Sequence, residues 1–302
     1  MTEIDFRKIQ LEDKDLITHY FRHHTSRSCE RTFVNVYLWA RFYNVTFAVV
    51  ENALVFCEKE EDGFAFAYPA GKPEDVKRAL DILLEYCKEQ NVPFRMYTVT
   101  PDNFAYLEEW YPGRFQIEYI DADADYVYES EKLATLSGKK LHSKRNHINK
   151  FKIVYDGRWS YEPISEDNLE ECVQTGLKWR NENGCEEDEE KNSELCVTLN
   201  SLRLFKELDL VGGALRIDGK IIAFTIGEPL SEDTFVVHIE KALEGYEGAY
   251  TMINQQFVQH ACMDYKYVNR EEDTGSEGLR KAKRSYRPVF MVEKGWVTEK
   301  EA

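Results

Sequence analysis

The chain has 302 residues, 43% of them apolar, which is enough for one large core or two ordinary ones. Lys plus Arg number 39 against 55 Asp plus Glu, a net charge of −16, which excludes a chain that coats nucleic acid or an anionic membrane indiscriminately but leaves room for a local basic groove. The scattered cysteines form no C-x-x-C pair and no His spacing completes a zinc site, as expected of a reduced, cytoplasmic protein; the opening MTEIDFRKIQLEDKD lacks an apolar signal core, and no apolar run reaches membrane-spanning length.

In chain order, the pattern predicts helices over 13–23 and 31–42, then strands over 45–50 and 53–57 that flank Glu51-Asn52 as a hairpin. A third strand covers 64–68. Pro73 opens a helix over 74–90 whose stripe is Val76, Leu80, Leu83, Leu84 and Cys87. A strand over 94–99, a helix over 102–110 and a strand over 115–120 complete the first half. The second half repeats the order, with helices over 166–183 and 188–208 separated by an acidic loop at 182–190. Strands over 214–217 and 221–227 flank Asp218-Gly219, a strong hairpin signal. A strand over 234–239, a helix over 249–263, a strand over 266–269, a helix over 277–286 and a strand over 288–293 follow. Two α+β domains of similar fold are expected, one over 1–130 and one over 153–302, the second carrying the site.

The connecting segment 131–152, EKLATLSGKKLHSKRNHINKFK, is the most basic stretch of an acidic chain. His142, Lys144, Arg145 and Asn146 head a predicted helix, with His142, Arg145, Asn146 and Asn149 three or four apart on one face. Such a segment reads either as a solvated linker helix or as a polyanion contact that gains affinity by counterion release. Basic residues return at Arg280, Lys281, Lys283, Arg284 and Arg287, and would line one channel with the first stretch if the two converge.

The 234–261 stretch reads as strand, glycine loop and helix. Gly245 and Gly248 permit the turn, and the helix that starts there offers unpaired N–H groups and a dipole end to a phosphate or oxyanion, near Gly248 and Tyr250. Glu240 lies where the strand runs out and is a candidate proton acceptor, with a salt bridge as its structural alternative. Asp273, before Gly275, reads as a capping or turn acid. Cys29 and Cys262 lack a His partner pattern, and His23-His24 is a poor metal pair.

The order of strands, loop and helix resembles the GNAT acyltransferase fold in tandem. More specifically, LATLSGKKLHSKRNHINKF, VVHIEKA and NREEDTGSEGLRKAKRSYRP resemble blocks of the C-terminal, cytosolic domain of phosphatidylglycerol lysyltransferases, and Fem-type aminoacyltransferases are similar in arrangement. The resemblance implies aminoacyl transfer from a charged tRNA to a lipid headgroup or small amine, with the donor in place of any resident cofactor and no metal. It implies Glu240 and Asp273 as catalytic residues, Asp273 as the group that reads a cationic amino acid if it is not merely a turn acid. It implies His142, Lys144, Arg145, Asn146, Asn269, Arg280, Lys283 and Tyr286 as substrate contacts, which Gly248 and Tyr250 join from the reading of the loop and helix. At Gly245–Tyr250 the acetyl-CoA loop pattern of GNAT enzymes is poorly met, and Glu247 would repel a pyrophosphate, which favours a different donor. An acetyl-CoA-dependent N-acetyltransferase and a non-catalytic binding module on the same scaffold remain the alternatives.

Overall fold

The computed structural model describes residues 3–23, 26–60, 63–183 and 189–300. His24 and part of the expected acidic loop, with Cys185, lie outside the described residues. The first half of the chain forms β1 (Arg7–Lys8), α1 (Lys14–Phe21), α2 (Phe33–Trp39), β2 (Val45–Val50), β3 (Ala53–Glu60), β4 (Gly63–Ala67), α3 (Pro73–Gln90), β5 (Phe94–Val99), α4 (Pro101–Trp110) and β6 (Phe115–Tyr119). From there run β7 (Asp125–Glu129), α5 (Ser130–Thr135), α6 (His142–Val154), β8 (Trp159–Pro163), α7 (Leu169–Asn183), α8 (Glu189–Arg203), β9 (Val211–Ile217), β10 (Lys220–Pro229) and β11 (Thr234–Ala242). The chain ends with α9 (Ala249–Phe257), β12 (Tyr267–Asn269), α10 (Glu277–Ser285), β13 (Phe290–Val292) and β14 (Gly295–Glu299).

These elements fall into two compact units. One joins Met1–Asp125 to Glu272–Ser276 and Val292–Ala302; the other joins Tyr126–Glu271 to Glu277–Met291. The basic 131–152 segment therefore belongs wholly to the second unit, as α5, α6 and the turn between them.

In the first unit the sheet runs β1-β2-β3-β4-β5-β14-β6. Its hairpin between β2 and β3 turns at Glu51 and Asn52, both at positive φ (48° and 60°), the conformation a two-residue primed turn needs and one that Asn tolerates better than most residues. β4 and β5 pair in parallel, joined by α3, whose Val76, Leu80, Leu83, Leu84 and Cys87 face the core as the sequence stripe predicts.

The second sheet runs β13-β7-β12-β11-β10-β9-β8, with β11 and β12 paired in parallel. Packed on it are α9 against β9, β10 and β11, and α7 against β10 and β11. The central core gathers Phe151, Leu215, Phe235, Val237, Met252, Ile253 and Phe257. The helix predicted to 263 is α-helical to Phe257 and then widens into a π turn over Val258–Cys262. The strands outside the predicted pattern include β7 and β14. The first is contributed to the second sheet from the end of the first half, and the second returns to the first sheet from the end of the chain.

Candidate active site

In the second unit, β11 and β12 are paired only from Thr234–Tyr267 to Val236–Asn269. Beyond that point β11 carries Glu240 and the segment after β12 continues through Arg270, and side chains bridge the gap. Arg270 Nη2 donates to Glu240 Oε1 at 3.0 Å, and Asn254 Nδ2 of α9 donates to Glu240 Oε2 at 3.1 Å. Both ends of the carboxylate are thus engaged in a nearly dry site. Burial is the largest single effect and opposes the Arg270 charge, but Glu240, Tyr128 and Tyr286 together outweigh it and keep the guanidinium protonated.

Tyr286, at the end of α10, closes the other side. The Arg270 guanidinium lies 4.9 Å from its ring centroid and the Lys144 ammonium 3.9 Å, so one ring serves two cations. Burial pushes the Lys144 amine down to about 8; Arg270 adds to the fall and Glu240 opposes it. Burial likewise pushes the Tyr286 phenol up. Two polar atoms in this cluster, Asn254 Oδ1 and Arg270 Nη1, are buried without a hydrogen-bond partner among the described residues. One is an acceptor and the other a donor.

The remaining residues expected from sequence divide by what they touch. Lys283 is buried, and its ammonium donates to the Arg270 carbonyl at 2.7 Å, while its own carbonyl accepts from the Tyr128 hydroxyl at 2.8 Å. Asn269 is buried and accepts from the Glu271 N–H at 2.7 Å. These two hold the Arg270 backbone. Arg145 donates to the carbonyls of Leu136 and Gly138, fastening the turn that precedes α6. His142 and Asn146 meet each other at 3.3 Å on the exposed face of α6. Gly248 caps α9 in the left-handed region (φ 85°), and a Cβ there would lie 3.0 Å from the His147 carbonyl, so the loop rests against α6. Glu247 of that loop pairs with Lys150. The Tyr250 hydroxyl accepts from Trp179 Nε1 at 3.1 Å. Arg280 is half-buried in α10 and has partners of its own. Asp273 belongs to the first unit, fully buried, where its carboxylate accepts from the Gly275 N–H at 3.0 Å.

Lys144 of α6 over Tyr286 shows that the two basic stretches meet. Lys139, Lys140 and Lys152 of the first stretch and Lys281, Arg284 and Arg287 of the second are exposed.

Sequence reasoning missed Arg270 and Asn254: Arg270 lies in the block that opens at Asn269 but is not singled out there, and Asn254 has no signal of its own. They stand 30 and 14 residues from Glu240, and only the fold brings them to it. The same holds for a buried cluster in the first unit. There the Lys294 ammonium lies 2.6 Å from Glu30, 2.7 Å from Asp125 and 3.8 Å from Glu272. Cys29 Sγ is 3.5 Å away, its thiol pushed well up by burial and then by Asp125. Cys29, Glu30 and Asp125 are close enough to share a cation, and the lysine supplies one.

The family model for the C-terminal domain of phosphatidylglycerol lysyltransferase matches residues 21–297. The chain belongs to this family. Among solved structures it is similar to a conserved protein of unknown function from Bacteroides thetaiotaomicron VPI-5482, with 40% identity, a TM-score of 0.92, and coverage of 99% of this chain and 100% of that one. It is also similar to the C-terminal domain of a putative lysylphosphatidylglycerol synthetase from Agrobacterium fabrum, with 14% identity, a TM-score of 0.68, and coverage of 97% and 93%. A third likeness is to the L-PGS of Bacillus licheniformis, with 14% identity, a TM-score of 0.65, and coverage of 96% and 93%. The last two likenesses bear on the fold alone. The fold of this lysyltransferase-family chain is the expected α+β tandem of GNAT-like units, and its family supports an acyltransferase. Among the described residues no helix is long and apolar enough to cross a membrane.

Proposed function

We propose that this chain transfers an aminoacyl group from a charged tRNA to a lipid headgroup or small amine. The observation that carries the reading is the cluster at Glu240, Arg270, Asn254, Lys144 and Tyr286, lying where the two basic stretches meet in a lysyltransferase-family fold. Exposed lysines and arginines of α6 and α10 take the tRNA backbone by counterion release. The two unpartnered atoms take the ester: Asn254 Oδ1 accepts from the α-ammonium of the aminoacyl group, and Arg270 Nη1 donates to its carbonyl. As the acceptor's hydroxyl or amine attacks that carbonyl, the oxyanion that forms is stabilised by a guanidinium already held in place. The attacking group's proton passes to neutral Lys144, whose amine titrates at about 8, and from there to the departing 3′-oxygen of the tRNA. Proton acceptance moves from Glu240 to Lys144 in this reading because both Glu240 oxygens already accept hydrogen bonds. Glu240 then serves as the counter-ion of Arg270.

The test is incubation of the purified chain with a mixture of tRNAs charged with labelled amino acids, with phosphatidylglycerol vesicles as one acceptor and spermidine as another. Labelled lipid or labelled polyamine, lost in Lys144→Met, is the expected result. No transfer from any charged tRNA to either acceptor, with acetyl-CoA alone raising the melting temperature, overturns it in favour of a small-molecule acetyltransferase.

A further inference from the structure

The strand that carries Glu240 contains a bulge. In the ladder between β10 and β11, Ile226 faces Ile239 while Gly227 faces Val237, so His238 has no partner across the strand. An extra residue reverses the alternation of faces along a strand. The reversal is visible in the packing. Before the bulge the odd residues Phe235 and Val237 join the core that α9 covers; after it the even residue Ala242 does, and Glu240 reaches Asn254 of α9. Lys241 takes the opposite face, paired with Glu194 of α8 and 3.8 Å from the Trp179 ring centroid of α7. Without the bulge the two would exchange faces, and a lysine would stand where Arg270 now finds its carboxylate.

His238 is itself clamped. Its Nε2 lies 3.0 Å from Glu228 of β10, and its Nδ1 lies 2.7 Å from Glu271. Glu271 follows Arg270 directly and sits in the left-handed region (φ 57°), a conformation a side chain-bearing residue keeps only when its surroundings hold it. Gly227 completes the device from the other strand: a Cβ there would fall 2.1 Å from the Val236 carbonyl.

We propose that His238 is a positioning residue of the site, its ring fixing the bulge on one strand and the Glu271 turn on the other so that Glu240 and Arg270 face each other. The inference builds on the proposed site but is tested without reference to the reaction. Lys144 is faced by Arg270, Glu240 and Tyr286, and its titration reports where the Arg270 charge lies.

The experiment is carbon-13 reductive methylation of the full chain followed by NMR titration of the Lys144 resonance, assigned by its loss in Lys144→Arg. In His238→Gln the Lys144 midpoint is expected to rise from about 8 towards its ordinary value of 10.5, as Arg270 is released and Glu240 is left to attract the amine. Should His238→Gln not fold, Glu271→Gln keeps the shape of the contact and removes one charge, and a smaller rise in the same direction is expected. A folded variant whose Lys144 midpoint stays at about 8 overturns the proposal. Where transfer is measurable, the turnover number of His238→Gln falls by on the order of 100-fold with little change in KM, the penalty of a displaced catalytic group. Failure of transfer in the wild type leaves the NMR result intact, so the two readings fail separately.

Discussion

Arg270 donates to Glu240 at 3.0 Å and at the same time lies 4.9 Å from the centroid of the Tyr286 ring, so one carboxylate and one aromatic face hold a single buried guanidinium. A charge pair this dry is costly to break from one side, because the survivor keeps its desolvation penalty and loses its compensation. Arg270→Met and Glu240→Gln are each expected to destabilise the chain by about 3–5 kcal/mol, because each removes one partner of a buried pair and leaves the other without its counter-ion. The double variant is expected to be more stable than the sum predicts. Urea unfolding of the two singles and the double closes the cycle, and simple additivity would show that the pair is not coupled.

Lys144 sets the pH dependence of the proposed reaction. The neutral amine is the active form, so the rate is expected to rise with pH and level off above a midpoint of about 8. Lys144→Arg keeps the positive charge beside Tyr286 and removes the titration, so its residual rate is expected to be flat across the same range. Initial rates of aminoacyl transfer from neutral to alkaline pH decide it. A rising limb retained in Lys144→Arg would assign the proton acceptor elsewhere.

How far the sequence showed this site can be seen from its parts. The β11 run, the glycine loop and the α9 pattern were legible because strand composition and helical spacing are local properties, and Glu240 and Tyr286 fall within recognisable blocks. The bulge at His238 was not legible, since one unpaired residue leaves the apolar pattern of a doubly buried strand unchanged. Nor were β7 and β14. Asp125–Glu129 has a strand composition of its own, but nothing local says that it completes the second sheet, or that Gly295–Glu299 inserts between β5 and β6. Reading the halves as a repeated pattern located most of the elements and missed the exchange of one strand each way. Asp273 shows the converse: its sequence neighbourhood looks like that of Arg270, yet it belongs to the other unit.

His238 also makes a stability prediction whose sign is opposite to that of a depressed carboxylate. Burial would lower its pKa, but the hydrogen bonds it donates to Glu228 and Glu271, with the charges of those two acids, together prevail and raise it from 6.5 to about 10. A histidine with a raised folded pKa binds its proton more tightly in the native state, so its contribution is complete below 6.5 and is lost as pH rises towards about 10. Unfolding free energy of the wild type minus that of His238→Gln is therefore expected to shrink across this window. A difference that stays constant with pH would mean that the imidazole is neutral in the fold.

The cluster around Lys294 gives the last prediction, and it concerns the first unit alone. One ammonium serves Glu30, Asp125 and Glu272, with the first two within hydrogen-bond distance. Burial pushes the Asp125 carboxyl up, Lys294 opposes, and the charges of Glu30 and Glu272 add to the rise. Removing the amine in Lys294→Met leaves the acids with no cation among them, and the expected loss is about 3–5 kcal/mol at neutral pH. The loss has a direction in pH. Carboxyls whose folded pKa lies above the unfolded value favour the native state only when protonated, so the variant should recover stability as pH falls through the raised carboxylate range and lose it as pH rises. Urea midpoints of the wild type and Lys294→Met at mildly acidic and mildly alkaline pH measure the difference. Pairing the change with Asp125→Asn removes the most buried charge and is expected to restore part of the loss at alkaline pH. An equal deficit at both pH values would assign the cost to lost packing rather than to stranded charge, because only the charged form of the acids depends on the proton.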